Sequence, residues 1–400
     1  MDLRNLPPSM NARERVDERR ARIERELGIG LANLAVAQKR IGAADERNCE
    51  QMFGAVPLPV GLAGPLNILF SSGETADIYL PLATTEGALV ASVNRGCKAL
   101  ARSGGVRAFS EYAGITRSVA FEAKAPKKIA AKIRALEPAW KKIAEATSRH
   151  LKILSYEIDA KDGVLFLTLA ADTGEAMGMN MLTIAAQAAG EFISKKLGIP
   201  LLTVAGNVDS DKKPSARTKK KGRGYRVRAE ALLPENVVRS VLRSDPASLC
   251  RTARAKLEIG SRLAGALGSN LHAANTLAAL YLATGQDAAH VVEGSLADTA
   301  LCRAHGGIRI SVALPALLLG VRGGGTDLPA QKQCLDLLLR ERTRLRPPAQ
   351  LAEIFGGAVL AGELSLLAAQ ATNTLARAHR RLARRKGGSG TKDAPYLASR

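Results

Sequence analysis

The sequence predicts an α+β protein in which a small sheet-and-helix unit is inserted into a larger mixed α/β domain built round a long central helix. Three observations carry this prediction. Residues 117–204 run strand, helix, strand, strand, helix, strand. Before and after that stretch, apolar residues recur at helical spacing over long segments, with alternating strand patterns among them. A chain of 400 residues with 46% hydrophobic content can bury a sizeable core and divide it between two or three domains.

Taken in order, residues 11–29 form a charge-dense helix and 31–44 a second, more apolar one, so residues 1–49 make a helical N-terminal arm. Gly and Pro punctuate 54–66 too often for a helix, which leaves turns and short strands. A helix over about 85–102 follows and stops at Gly104-Gly105. Residues 118–123 and 150–159 alternate as half-buried strands. Lys161-Asp162-Gly163 turns the chain into a strand over 164–170, and 201–204 is a short apolar strand. Helical periodicity covers 127–147 and 177–197 between them. That order is the split βαβ, ferredoxin-like arrangement, and it sets the inserted unit at 118–204.

The larger domain then comprises 50–117 and 205–386. Its second part reads as a strand near 225–233, long helical stretches over 246–284, strands within 289–318, the turn Gly323-Gly324-Gly325-Thr326, and a final helix over 349–386. Residues 387–400 open on Gly-Gly-Ser-Gly and read as a disordered tail.

Composition narrows the function. Cys49, Cys97, Cys250, Cys302 and Cys334 are scattered without a Cys-x-x-Cys pair, so reduced thiols are expected, without a disulfide framework or a zinc site. Neither a metal-ligand spacing nor a glycine-rich dinucleotide fingerprint after a strand appears, so no metal and no Rossmann site are expected. Residues 1–8 lack an apolar signal core, and the richest apolar run, 310–320, is short and contains Pro315. No membrane segment and a cytoplasmic location follow. The net charge of +21 concentrates at 212–228 and 377–386. Such patches bind nucleic acid or nucleotide phosphates, or are simply solvated. Aromatics are only 4% and interleave neither patch as single-strand readers require, which argues against nucleic acid.

Four ionisable residues stand in small or apolar company. Glu86 is the only acid in residues 81–98. A glutamate that must hold a proton near neutral pH needs desolvation to lift its pKa from about 4.3 toward roughly 6–7. The same stretch also suits a helix start capped by Thr84 or Thr85, and the segment alone leaves both readings open. Lys212 sits in a polar loop leaving the small unit, Asp287 follows Gly285-Gln286 at the end of an apolar helix, and His379 lies late on the final helix. Singly, these suit a solvated lysine, a capping aspartate and a structural histidine; the combination is what lifts them.

The combination is familiar. The chain resembles the 3-hydroxy-3-methylglutaryl-coenzyme A reductase family, in the soluble prokaryotic form of its class I branch. The likeness runs from about residue 49 to 386. It rests on Pro-Val-Gly-Leu-Ala-Gly-Pro-Leu at 59–66, the stretch 82–98, Ala-Met-Gly-Met-Asn-Met at 176–181 and Asp211-Lys212-Lys213-Pro214. His272-Ala273-Ala274-Asn275, Gly285-Gln286-Asp287, Gly323-Gly324-Gly325-Thr326 and Ala-Gly-Glu-Leu-Ser-Leu at 361–366 complete it.

The resemblance implies a four-electron reduction of a thioester to an alcohol with two NADPH, giving mevalonate and free coenzyme A. Lys212 would meet the developing oxyanion, and Asp287 would hold that ammonium charged and aimed. His379 would protonate the departing thiolate, a transfer downhill by about two pKa units or ~2.7 kcal/mol from ordinary values. Glu86 would protonate the aldehyde oxygen in the second reduction. By the same likeness, Arg117, Asp211, Lys213 and Asn275 hold the carboxylate and hydroxyl end of the substrate. Ser92, Asn94, Arg95 and Lys98 lie in the coenzyme A neighbourhood, and His272 in the thioester pocket. Met177, Gly178, Met179 and Asn180 underlie the dinucleotide, Gly323, Gly324, Gly325 and Thr326 approach it by backbone, and Ser148 and Arg149 meet the 2′-phosphate, which favours NADPH over NADH. Family members place the active site between subunits, so a homo-oligomer is implied.

Some positions depart from the animal-type pattern. Glu175 stands in place of aspartate, Ala205 in place of serine and Asp327 in place of asparagine, the first and last touching cofactor preference. The dimer-associated motif reads Glu50-Gln51-Met52-Phe53-Gly54, and Arg385 replaces the regulatory serine. Arg377, Arg380, Arg381, Arg384 and Arg385 fall on one helical face beside His379, suited to coenzyme A phosphates or to solvent. Competing readings are a class II, NAD-linked enzyme oxidising mevalonate, which residues 177–181 and Arg149 oppose, and a basic nucleic-acid-binding protein.

Overall fold

The computed structural model describes residues 2–372. Nine strands organise it: β1 (Val60–Leu69), β2 (Thr75–Ala83), β3 (Val106–Glu122), β4 (Lys152–Lys161), β5 (Val164–Asp172), β6 (Leu201–Thr203), β7 (Gly224–Pro234), β8 (Asp298–Ala304) and β9 (Gly307–Leu317). The main path runs β2-β1-β3-β7-β9-β8. Every pairing on it is antiparallel except β1 with β3.

The 17-residue β3 serves two sheets. Its first part pairs with β7, from Arg107↔Glu230 to Gly114↔Gly224. Its second part pairs with β5, from Ile115↔Ala171 to Glu122↔Val164, and touches β6 at Ala120↔Thr203. With the β4–β5 hairpin this makes a second layer ordered β4-β5-β3-β6, the strand order of a ferredoxin-like sheet. Asp162 and Gly163 close the hairpin with φ of 49° and 80°, the positive values a two-residue turn requires. The helices Pro126–Ala135, Glu137–Glu145 and Met179–Leu197 cover this layer. Fully buried Trp140, Phe121, Leu167 and Leu182 belong to its core.

The larger core surrounds the 25-residue helix Pro347–Ala371, nearly all of which is buried. By length and composition this is the one described helix able to cross a membrane, yet 94% of its apolar window lies inside the protein. It is a core helix of the protein. Both its acids are buried and satisfied. Glu353 accepts from the Ser71 N–H and from the hydroxyls of Ser71 and Ser110. Glu363 accepts from the N–H groups of Leu271 and His272 and from Thr299.

Several elements differ from expectation. Residues 31–44 are not one helix; short turns at Ala32–Leu34 and Gln38–Ile41 end at Gly42, whose φ of 57° leaves the helical region. The stretch 54–66 was expected to be broken, yet Val60–Leu69 is one strand that absorbs Gly64-Pro65 in a bulge between Ala63 and Leu66. The helix expected from residue 85 starts at Leu89, because Ala88 takes a left-handed φ of 78°. The 127–147 helix breaks ahead of Pro138, which cannot donate to the preceding turn. The helical run 246–284 is interrupted near Gly265, with φ 65°, between a π-helical segment and the helix Ala273–Thr284. Residues 289–294 form a helical turn, and strand begins only at Asp298. The described part of the final helix ends at Ala371; His379, the arginines at 377–385 and the tail 387–400 lie outside the described residues.

Candidate active site

Where the two sheets part along β3, a cleft of about 520 Å³ opens. Arg117 of β3, residues 176–181, Asp211-Lys212, Gly285-Gln286-Asp287 and the glycine loop 323–326 line it. Five segments far apart in sequence meet here.

The Lys212 ammonium lies 2.7 Å from Asp287 Oδ2. Asp287 also caps the following turn, its Oδ1 accepting from the Ala289 N–H at 3.1 Å, so one carboxylate has both a structural and a chemical partner. Burial pushes the Asp287 carboxyl up, but the Lys212 hydrogen bond and the nearby His290 outweigh it and hold it below the ordinary 3.8. Lys212 itself has φ 57°, a conformation that costs a non-glycine residue about 1–3 kcal/mol. Asn207 and Ser210 in the same loop share it, with φ of 63° and 57°.

What holds that loop is a buried polar network. Arg223, 1% exposed, donates to Asp211 Oδ1 at 2.9 Å and to Glu293 Oε1 at 2.7 Å, and its other nitrogens reach Thr116 and the Met179 sulfur. Glu293 Oε1 also accepts the Lys212 N–H at 2.8 Å. Carboxylate oxygens of Asp211 and Glu293 and a ring nitrogen of His290 converge within 4.8 Å, and the Arg223 guanidinium supplies a cation between the two carboxylates. Burial raises Asp211 as well, but the Arg223 charge and hydrogen bond leave it below its usual range. Asp209 has the opposite fate: burial dominates over Arg117 and Arg223 and pushes its carboxyl up. Arg117 joins these acids to the cleft at 3.4 Å from Asp209 and 3.7 Å from Asp211.

The Asp287 turn is anchored from behind. Gln286 donates to the Gly320 carbonyl at 2.8 Å and accepts its N–H at 3.0 Å. Gly285 and Gly325 approach so closely that a methyl group on either would sit within 2.5 Å of the other's carbonyl oxygen. Only glycine fits at both places, and the contact locks the glycine loop against the Asp287 turn.

Other expected positions are dispersed. Glu86 is exposed on the loop before the helix Leu89–Ala101; its N–H donates to Thr84 Oγ1 at 2.9 Å, and it is not among the residues lining the cleft. The desolvated setting expected of it is absent within the described chain, and Thr84 bonds the loop instead of capping a helix. Ser92 and Arg95 bond Ser365 of the long helix, at 2.9 Å and at 3.0 and 2.6 Å, while Asn94 accepts the Gly64 N–H and Lys98 is exposed. Burial, with Arg243 nearby, pushes Arg95 down. His272 donates its N–H to Glu363, and its Nε2 is buried without a hydrogen-bond partner among the described residues. The Asn275 N–H donates to the His272 carbonyl, and the Lys213 ammonium to the Asp211 carbonyl. Ser148 and Arg149 sit on the turn before β4, with exposed Arg149 bonded to His150 at 3.0 Å. Glu175 pairs with Arg322, so its carboxylate is matched by a cation.

Sequence reasoning missed Arg223, His290, Glu293, Gln286 and Glu363. A signal existed for three of them: Arg223 stands between two glycines, and His290 and Glu293 follow Asp287 at intervals of three, the spacing of one helical face.

Comparison with known proteins adds to this geometry. Residues 15–384 match the family model of hydroxymethylglutaryl-coenzyme A reductase. A 3-hydroxy-3-methylglutaryl-coenzyme A reductase of Methanothermobacter thermautotrophicus is 40% identical over 384 residues, 93% of this chain and 94% of that one. One from Methanocaldococcus jannaschii is 42% identical over 381 residues, 92% of each. The solved class II reductase of Streptococcus pneumoniae, bound to NADPH, shares the fold with a TM-score of 0.67, 19% identity and coverage of 88% of this chain and 96% of that one.

Proposed function

The chain belongs to the hydroxymethylglutaryl-coenzyme A reductase family, and from that premise we propose that it works as the class I, NADPH-dependent form in the biosynthetic direction, with Lys212, Asp287, Glu86 and His379 as its catalytic residues. Its reaction is the reduction of 3-hydroxy-3-methylglutaryl-coenzyme A to mevalonate and free coenzyme A. The contact of Lys212 with Asp287 inside the cleft is the observation that carries the assignment of roles.

The cleft residues suit NADPH. The helix Met179–Leu197 begins at Gly178 without a side-chain cap, which leaves its first N–H groups for an anionic oxygen. A methyl group added at Gly323 or Gly324 would meet nothing within 4 Å, so that loop offers open backbone. Residues 177–180 and 323–326 would hold the cofactor, and Ser148 with Arg149 its 2′-phosphate. Bound there, NADPH supplies hydride, and two equivalents account for four electrons.

The protein's own part is charge and protons. The Lys212 ammonium stabilises negative charge on the carbonyl oxygen, and Asp287 keeps it aimed. Arg117, Asp211, Lys213 and Asn275 take the carboxylate and hydroxyl end of the substrate, with Ser92, Asn94, Arg95, Lys98 and His272 on the coenzyme A side. His379 gives the thiolate its proton, and Glu86 protonates the aldehyde oxygen. Glu86 needs cover to hold a proton. Its loop joins the start of β1, where the Thr84 N–H meets the Pro59 carbonyl beside exposed Val56, Val60 and Leu62. That apolar rim supports an active site completed by a second copy of the chain in a homo-oligomer. Five free cysteines support a cytoplasmic location.

Loss of NADPH absorbance on adding the acyl-coenzyme A tests the reading. Turnover is expected with NADPH and falls by about 10²–10³ in Lys212→Ala. Preference for NADH would move the chain to the class II form, and no turnover with either cofactor would sink the assignment.

A further inference from the structure

We infer that His290, backed by Glu293, is a positioning residue for the Lys212–Asp287 pair. The inference rests on the functional reading above, in which that pair meets the oxyanion. It starts from a closed ring of contacts. The Lys212 N–H donates to Glu293 Oε1 at 2.8 Å, and Glu293 Oε2 lies 3.1 Å from His290 Nδ1. His290 Nε2 then faces Asp287 Oδ2 at 3.7 Å, the same oxygen that the Lys212 ammonium meets at 2.7 Å. The ammonium end of the lysine therefore meets the aspartate directly, and its N–H end leads back toward the same aspartate through two side chains that have no exposed surface.

Local structure does not call for this arrangement. The turn after Asp287 is already capped by Asp287 Oδ1, so neither His290 nor Glu293 is needed to start it. Glu293 instead spends its oxygens on groups from the Lys212 loop and on Arg223, 81 and 70 residues away. His290 Nε2 is buried with no hydrogen-bond partner among the described residues and is the ring atom that faces Asp287. At 3.7 Å the contact is beyond hydrogen-bonding distance, and a bond to the Asp287 carboxylate requires an Nε2–H as well as a closer approach of the two groups. Asp211 also lies 4.0 Å from Nδ1, and Arg223 bridges it to Glu293. A left-handed Lys212 has no intrinsic reason to hold its ammonium over the cleft, and the ring supplies one.

The test uses the full chain, with kcat and KM for the acyl-coenzyme A and for NADPH measured in four variants. His290→Leu should lower kcat by about 10- to 100-fold, the effect of misplacing a reacting group by up to an ångström, with both KM values within about twofold. His290→Gln, whose amide can donate toward both carboxylates, should recover to within about threefold of the parent. His290→Asn keeps a donor for Glu293 but is too short to face Asp287, and should show the same 10- to 100-fold loss of kcat, which decides the test where His290→Leu fails to fold. A kcat within twofold of the parent in His290→Asn, or no recovery in His290→Gln, overturns the inference. Lys212→Ala run alongside separates the two levels. An inactive parent overturns the functional reading, whereas an active parent, an inactive Lys212→Ala and parental His290 variants overturn the positioning role alone.

Discussion

Lys212 and Glu86 are the two ionisable groups proposed to serve the two reductions, and their surroundings differ in kind. Lys212 is fixed at both ends, by Asp287 at its ammonium and by Glu293 at its N–H, on a loop backed by fully buried Arg223. Glu86 stands on an exposed loop, its own N–H bonded to Thr84. The contrast teaches how a single chain divides the work. An oxyanion site needs preorganised charge, which a buried polar network within one fold can supply. A proton donor needs desolvation, which an exposed loop acquires only from something that covers it.

The largest expected effect sharpens the exposed side of this contrast. Glu86→Gln should keep substrate binding and thermal stability, and lose about 10²–10⁴ of mevaldehyde reduction, as measured by NADPH consumption with the free aldehyde. Normal reduction would remove Glu86 from the mechanism. The opposite signature belongs to Arg223→Met. Removing this guanidinium leaves Glu293 buried beside Asp211 without its cation, so urea unfolding should show a loss of about 3–5 kcal/mol. A stability change under about 1 kcal/mol would break the claim that the Lys212 side is preorganised by burial.

The smallest effect is a pH dependence. Asp287 is held below its ordinary 3.8 in the folded protein. A carboxyl depressed by folding contributes stability that is complete above the unfolded pKa and is lost as pH falls through the folded one. The stability gap between the parent and Asp287→Asn should therefore be full above about pH 4 and close below it, in urea titrations at successive pH values. A gap independent of pH down to about 2 would mean that the Lys212 contact contributes nothing to the folded carboxylate.

Much of the fold was legible because its cause is local. The helix opening after Asn11, the Lys161-Asp162-Gly163 turn and the alternation in β4 need only neighbours in sequence. The failures share the opposite cause. β3 reads as a strand only over its second half, since its first half is held by β7, more than a hundred residues on. Val60–Leu69 survives Gly64-Pro65 because β2 tolerates a bulge opposite them. The helix at 85 is cancelled by one residue, Ala88, whose left-handed turn no propensity announces.

At the site, residue types and their order singled out Lys212, Asp287 and the glycine loop, since an isolated lysine or acid in small company is visible in one dimension. The chain by itself also determined the family, through long ordered motifs. Tertiary structure alone decided which of those residues meet: Lys212 and Asp287, 75 positions apart, share one hydrogen bond, while Glu86 remains outside their cleft. It also recruited Arg223, His290 and Glu293, which carry no motif. The reason is physical: a buried charge is tolerable only beside its counter-charge, and that pairing is set by how the sheets and loops close in space.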